Sequence, residues 1–177
     1  MNATLRDITE AICAVDRLDK SECKRVYERA RMLRDKGLLK TSTPPSQGRA
    51  ASFSEADTAA AVTAIRASLS GSGWNLIGAI LSELRAIDNT NGRPEFERHI
   101  EAIKAGKPIW ARVDVIVNPE FVEVGLPGEV NAKMGTLAAI GVTDDPKNTA
   151  QTTHQITLWP VTLIAKPVLD HIKSVAL

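Results

Sequence analysis

Residues 20–50 constrain this chain more than any other segment. They hold nine lysine and arginine residues against only three acidic ones, Glu22, Glu28 and Asp35, which gives the segment a formal charge of +6. The whole chain of 177 residues carries +1, so the other 146 residues must sum to −5. A charge imbalance of this kind predicts a local surface that binds a polyanion.

The same segment has the signals of a capped amphipathic helix that runs into a turn-rich loop. Asp19 and Glu22 have the spacing of a capping box, and Gly37 is a typical helix end. The apolar stripe between them is formed by Cys23, Val26, Ala30 and Leu33. Residues 43–48 contain two prolines and a glycine, which predicts a loop between short strands at 38–41 and 49–53.

Two further helices are predicted on either side of this segment. Thr4 can cap a first helix, and Ser54 with Asp57 can cap a third. Their apolar positions recur at helical spacing, at Leu5, Ile8, Ile12 and Val15 and at Val62, Ile65 and Leu69. The order helix, helix, hairpin, helix is typical of a winged helix-turn-helix.

The second half of the chain follows the linker-like stretch 70–73 and mixes helices with strands. Helices are predicted over 74–88, from Pro94 to Gly106, weakly over 129–140, and from Pro167 onward. Strands are predicted over 109–117, 121–124 and 155–165. We therefore expect an α+β protein, with a winged helix-turn-helix domain at 1–70 and an α+β dimerisation or partner-binding module with a smaller sheet at 74–177.

The outward side of the basic helix suits contact with a DNA duplex. In helix-turn-helix proteins the N-terminal part of the second helix meets base edges, and arginine there can bind guanine bidentately. The residues in those first turns are Lys20, Ser21, Lys24, Arg25, Glu28 and Arg29. Arg31, Arg34 and Lys40 lie further along, where phosphates would pass, and Gln47 and Arg49 lie in the loop beside a minor groove. An open alternative is a solvated helix face with local pairs such as Glu28 or Asp35 with Arg31.

The run Gly37-Leu-Leu39, followed by a polar loop and then Gln47-Gly-Arg-Ala-Ala-Ser-Phe-Ser-Glu-Ala-Asp57, resembles the MerR-like winged-helix group. In that group a glycine-leucine helix end leads into an arginine-bearing wing and an aromatic-Ser/Thr-Glu-x-Asp helix start. The resemblance covers roughly residues 4–69 and implies a DNA-binding winged helix. Metal or drug sensing is not implied, because no matching cysteine or ligand pattern follows residue 70.

Catalytic and cofactor signals are weak throughout the sequence. His99, His154 and His171 are scattered, and neither a paired metal-ligand spacing nor a glycine-rich nucleotide motif occurs. We therefore predict a protein that is not an enzyme and that needs no cofactor or metal. Cys13 and Cys23 are expected to be buried reduced thiols. With no signal peptide and no apolar stretch of 18 residues, the chain is expected in the cytoplasm, away from membranes.

Three functions compete at this point. The first is a transcription regulator, most simply a dimeric repressor of bacterial or mobile-element origin, whose C-terminal module forms a homodimer and takes a protein partner or small ligand. The second is a DNA-recognition subunit of a phage packaging or recombination complex, of the terminase small subunit or excisionase type. The third is a protein-binding adaptor without DNA contact.

Overall fold

The computed structural model describes residues 2–46, 50–87, 92–116, 129–140 and 154–175. Across these residues the fold is α+β, with six helices and two small antiparallel sheets. The strands are β1 (Ala3–Thr4), β2 (Ser52–Phe53), β3 (Trp110–Ile116), β4 (Glu129–Gly135) and β5 (His154–Trp159). The helices are α1 (Leu5–Asp16), α2 (Lys20–Asp35), α3 (Glu55–Leu69), α4 (Trp74–Arg85), α5 (Glu95–Lys104) and α6 (Val161–Val175).

The predicted caps of the first helices are confirmed. At the start of α1 the Asp7 amide donates to Thr4 Oγ1 at 3.2 Å, and the Thr4 amide donates to Asp7 Oδ2 at 2.8 Å. At the start of α2 the Glu22 amide donates to Asp19 Oδ1 at 2.9 Å, and the Asp19 amide donates to Glu22 Oε2 at 3.0 Å. Each box satisfies two amides that a helix start leaves without an intrahelical partner.

Gly37 ends α2 as its sequence position predicts. Its φ of 71° is left-handed, which a glycine adopts without the steric cost of a side chain. The Gly37 amide donates to the Arg34 carbonyl at 2.8 Å, and the Leu38 amide donates to the Leu33 carbonyl at 2.9 Å. These two bonds form a Schellman motif, so the turn after α2 is fixed by the backbone itself.

The predicted hairpin between 38–41 and 49–53 is wrong in its pairing. Residues 38–41 are not a strand, and β2 pairs instead with β1, in the register Ala3 to Phe53. Ala3 and Phe53 are each 1% exposed, so burial of both side chains favours the N-terminal segment as the partner. A single bridge joins Thr43 to Ser52 on the other side of β2. The loop residues 47–49 lie outside the described residues.

Helix α3 lies at the centre of the molecule. Its cap is the predicted one, with the Asp57 amide donating to Ser54 Oγ at 3.1 Å. Eleven of its 15 residues are buried, because it contacts α1, α2, α4, α5 and α6. Arg66 of α3 donates to Asp16 Oδ1 at 2.6 Å and to the Ile164 carbonyl at 3.1 Å, which joins α3 to both α1 and α6. Whether the chain divides at residues 70–74 stays a prediction.

The second sheet has the order β4-β3-β5. The predicted strand over 109–117 is confirmed over the residues of β3, and its alternation places Ala111, Val113 and Val115 in the core. The predicted helix over 129–140 is wrong, because β4 pairs with β3 over seven residues. The apolar residues Val130 and Met134 fit both periods, and pairing with a distant strand decides between them. The predicted strand at 121–124 lies outside the described residues.

The end of the chain also differs from expectation. The strand predicted over 155–165 stops at Trp159, and α6 begins directly after Pro160 rather than at Pro167. Thr162 fixes the start of α6. Its amide donates to the Ile109 carbonyl at 3.2 Å, and its hydroxyl donates to the Lys107 carbonyl at 2.6 Å. Pro167 lies inside the helix, where a proline removes one helical hydrogen bond.

Candidate nucleic-acid interface

Helix α2 brings most of the predicted contact residues onto one element. Val26, Ala30 and Leu33 are at most 1% exposed and turn inward. Because an α-helix has 3.6 residues per turn, this inward stripe leaves the rest of the circumference open. The predicted residues that the structure describes are all exposed: Lys20, Ser21, Lys24, Arg25, Glu28, Arg29, Arg31 and Arg34 on α2, and Lys40 beyond it. Gln47 and Arg49 lie outside the described residues.

The outermost stripe of α2 carries ion pairs. Lys24 Nζ lies 3.9 Å from Glu28 Oε1, Arg31 Nε lies 3.6 Å from Asp35 Oδ2, and Arg34 Nη2 lies 2.7 Å from Asp35 Oδ1. The expected pairing of Arg31 with Asp35 is confirmed, whereas Glu28 pairs with Lys24 and not with Arg31. The side chains of the Lys24–Glu28 pair are 78% and 62% exposed. Exposed pairs of this kind contribute about 0.5 kcal/mol or less, so they are readily exchanged for other partners.

A second stripe of α2 carries two arginines. Ser21, Arg25 and Arg29 follow one another at spacings of four on one side of the helix, and Lys36 follows seven residues later, just past its end. The acidic Glu22 lies on the same side, three residues before Arg25. Within the described part of the chain, Arg25 and Arg29 form no ion pair. Lys36 Nζ lies 3.6 Å from the centre of the Trp74 ring, a cation–π contact that keeps its positive charge at the surface. The spacing of these residues along the sequence could already have distinguished this stripe from the one that carries the ion pairs.

Arg6 is a cation beside α2 that the sequence reasoning did not select. It lines a groove of about 400 Å³ together with Tyr27 and Arg34 of α2 and residues 50–51 before β2. Arg6 Nε donates to Glu10 Oε1 at 2.7 Å, and this hydrogen bond raises the pKa of the Arg6 guanidinium. No sequence signal would have found it, because the groove depends on how α1 and the short sheet pack against α2.

The two cysteines lie in the groove between α1 and α2. Both are free thiols, as predicted, but they are half-buried rather than buried. Burial and then the neighbouring Cys23 thiol raise the pKa of Cys13 to about 12, so Cys13 is protonated at neutral pH. The Cys23 thiol donates to the Leu18 carbonyl at 3.8 Å. Among the described residues, no group of three or more His, Cys, Asp or Glu side chains is placed to hold a metal ion.

No protein-family model matches this chain, and no curated protein shows significant sequence similarity to it. Among the residues that the structure describes, no helix combines the length and the apolar character needed to cross a membrane.

Proposed function

We propose that this protein is a sequence-specific DNA-binding transcription regulator, acting as a dimeric repressor, with α2 as the helix that enters the major groove. One observation carries the proposal: α2 is capped at both ends and buries only three of its 16 residues, while all of its lysines and arginines are exposed. Six basic residues against three acidic ones give this helix a charge of +3. An exposed helix of this charge complements the phosphates that line a DNA groove.

The two ends of α2 would play different roles on the duplex. The first turns enter the groove, where Arg25 binds a guanine edge and Ser21 and Lys24 bind bases or phosphates. Arg31, Arg34 and Lys40 neutralise phosphates further along and fix the register without reading sequence. The Glu28–Lys24 and Asp35–Arg31 pairs open on binding, at a small cost because both are exposed.

Repression would follow from occupancy of an operator by a homodimer. A two-fold dimer formed through residues 74–177 would set two α2 helices about one turn of DNA apart, on inverted half-sites. Light scattering at micromolar concentration tests this arrangement, and a purely monomeric protein would remove it. A larger ring, with bound sites away from promoters, would instead favour a packaging or recombination subunit.

The proposal is tested by two arginine variants on DNA. Genome-wide footprinting first identifies the bound site, and its affinity is then compared with that of random duplex DNA. We expect Arg25→Gln to cost about 1–3 kcal/mol on the specific site and to relax discrimination at one base position. Arg34→Gln should weaken specific and random DNA alike and reduce the slope of log affinity against log salt by about 0.9.

Two results would contradict this assignment. Equal losses on specific and random DNA for Arg25→Gln would remove its base-reading role. Parent protein that binds neither DNA at low salt would remove the DNA-binding function as a whole.

A further inference from the structure

The surface that surrounds α2 continues onto α4, past the predicted linker. Two contacts show that the chain just after α2 runs alongside the start of α4. Lys36 lies over the Trp74 ring, and a Cβ added to Gly78 would lie 3.1 Å from Leu38 Cδ2. Further along, the Asp57 carboxylate of α3 accepts from Ser42 Oγ at 2.6 Å, and its charge acts to raise the pKa of Arg85 at the end of α4. Ser42 and the end of α4 therefore both lie near Asp57.

One side of α4 follows this segment and carries no acidic residue. Trp74, Gly78, Ser82 and Arg85 recur at spacings of four, four and three, and Asn75 lies beside them. Trp74, Asn75 and Ser82 are exposed. The acidic residue of α4, Glu83, lies on the neighbouring row, which begins with Asn75 and Ala79 at spacings of four. We name this set, together with the exposed Lys36 and Lys40, the α4 basic surface.

Arg85 is the unusual member of the α4 basic surface. It is half-buried, yet it makes no hydrogen bond or ion pair with any residue that the structure describes. Burial lowers the pKa of its guanidinium, and the Asp57 carboxylate opposes this by a smaller amount. That carboxylate is already bound by the hydroxyls of Ser42 and Ser54 at 2.6 and 2.7 Å. A partly desolvated cation without a direct partner favours an external anion.

We propose that the α4 basic surface binds the sugar-phosphate backbone of the duplex whose groove α2 enters. Lys36, Lys40 and Arg85 supply three positive charges along it, and Asn75 and Ser82 supply neutral hydrogen-bonding groups suited to phosphate oxygens. Gly78 and Arg85 are seven positions apart, a helical rise of about 10 Å, which is the rise of about three base pairs. This inference rests on the proposed function and extends the interface into the C-terminal half of the chain.

Salt titrations on a random duplex of about 20 base pairs test this inference with two variants and a control. Arg85→Gln removes a cation, and the exposed substitution Ser82→Glu adds an anion to the same surface. Lys133→Gln is the matched control, because Lys133 is exposed and lies opposite Arg112 on β3, away from the core side of the sheet. Thermal unfolding of each variant establishes that it is folded before its affinity is compared.

We expect Arg85→Gln to lower the salt slope by about 0.9 and to weaken specific and random DNA by the same factor. Ser82→Glu should weaken both by at least as much, whereas Lys133→Gln should match the parent. If both α4 variants match the control while Arg25→Gln still weakens specific binding, this inference is overturned and the proposed function stands. If the parent binds no DNA, both are overturned.

Discussion

Helices α2 and α3 are neighbours of similar length with similar caps, yet they are used in opposite ways. Helix α2 buries three of 16 residues, and α3 buries eleven of 15. Both begin at a side chain that caps the amide three residues later, Asp19 in one and Ser54 in the other. The caps therefore fix where a helix starts, and the residues between caps decide whether it joins the core or remains available to a partner.

Composition explains the difference. Helix α3 is rich in alanine and other small residues, which let five other helices approach it. Helix α2 instead carries long charged side chains along most of its length. These side chains cannot be buried unless each charge has a partner. A charged surface that the fold does not use costs little stability, so it can be kept for binding. Changes in α3 should therefore act mainly on stability, and changes in α2 mainly on binding.

The largest expected effect is on stability, from a truncation in α3. Ile65 is 0% exposed, and Ile65→Ala should lower the free energy of unfolding by about 2–5 kcal/mol, because it removes buried methyl groups and leaves a cavity. Arg29→Ala on the exposed side of α2 should change stability by only about 0.5 kcal/mol or less. Urea unfolding of both variants measures the difference.

DNA binding should show the reverse order. Folded Ile65→Ala protein should bind DNA as the parent does, whereas Arg29→Ala should bind more weakly at unchanged stability. If Arg29→Ala destabilises the protein as much as Ile65→Ala, the two helices do not differ in the way we describe.

A smaller effect is expected from the ion pairs of the two helices. Glu55, at the start of α3, accepts from Lys104 Nζ at 2.7 Å and lies 3.5 Å from Lys173 Nζ, so it joins α3 to α5 and α6. Glu55→Gln should cost about 1 kcal/mol at pH 7. Glu28→Gln on α2 should cost about 0.5 kcal/mol or less, because its pair with Lys24 is highly exposed.

The contribution of Glu55 should depend on pH with a definite sign. Burial acts to raise the pKa of this carboxyl group, but the hydrogen bond from Lys104 and the charges of Lys173 and Lys104 outweigh it, so the pKa is lowered from 4.5. The stability that Glu55 adds is therefore present above pH 4.5 and is lost as the pH falls through the lower folded pKa. Unfolding at pH 7 and pH 3 should show the parent and Glu55→Gln converging at the acid end. If the difference in the free energy of unfolding between the parent and Glu55→Gln grows toward low pH, this prediction is contradicted.

Local signals made much of the first half of the fold predictable. Thr4, Asp19, Ser54 and Gly37 act within a few residues of themselves, so the starts of α1, α2 and α3 and the end of α2 follow from the sequence. The pairing between segments distant in the chain could not be predicted from the sequence in this way. The β1–β2 pair needs Ala3 and Phe53 to meet in one core, and β4 forms because β3 is available beside it.

The candidate site shows the same limit. Helical spacing separates the inward stripe of α2 from its charged sides, and this was enough to select the exposed cations. Whether a cation is paired, or lies beside another element, depends on tertiary packing. Arg6 and Arg85 were therefore missed, since each becomes relevant only through its neighbours in the fold.

The most direct measurement is the affinity of a triple variant for duplex DNA across a range of salt concentrations. Lys24, Arg25 and Arg29 are replaced together by glutamine, and thermal unfolding first establishes that the variant is folded. If α2 binds DNA, the salt slope should fall by up to about 2.7, with the affinity for specific and random sites falling as well. A triple variant that retains the parent's affinity and salt dependence would contradict the claim that α2 is the DNA-binding helix.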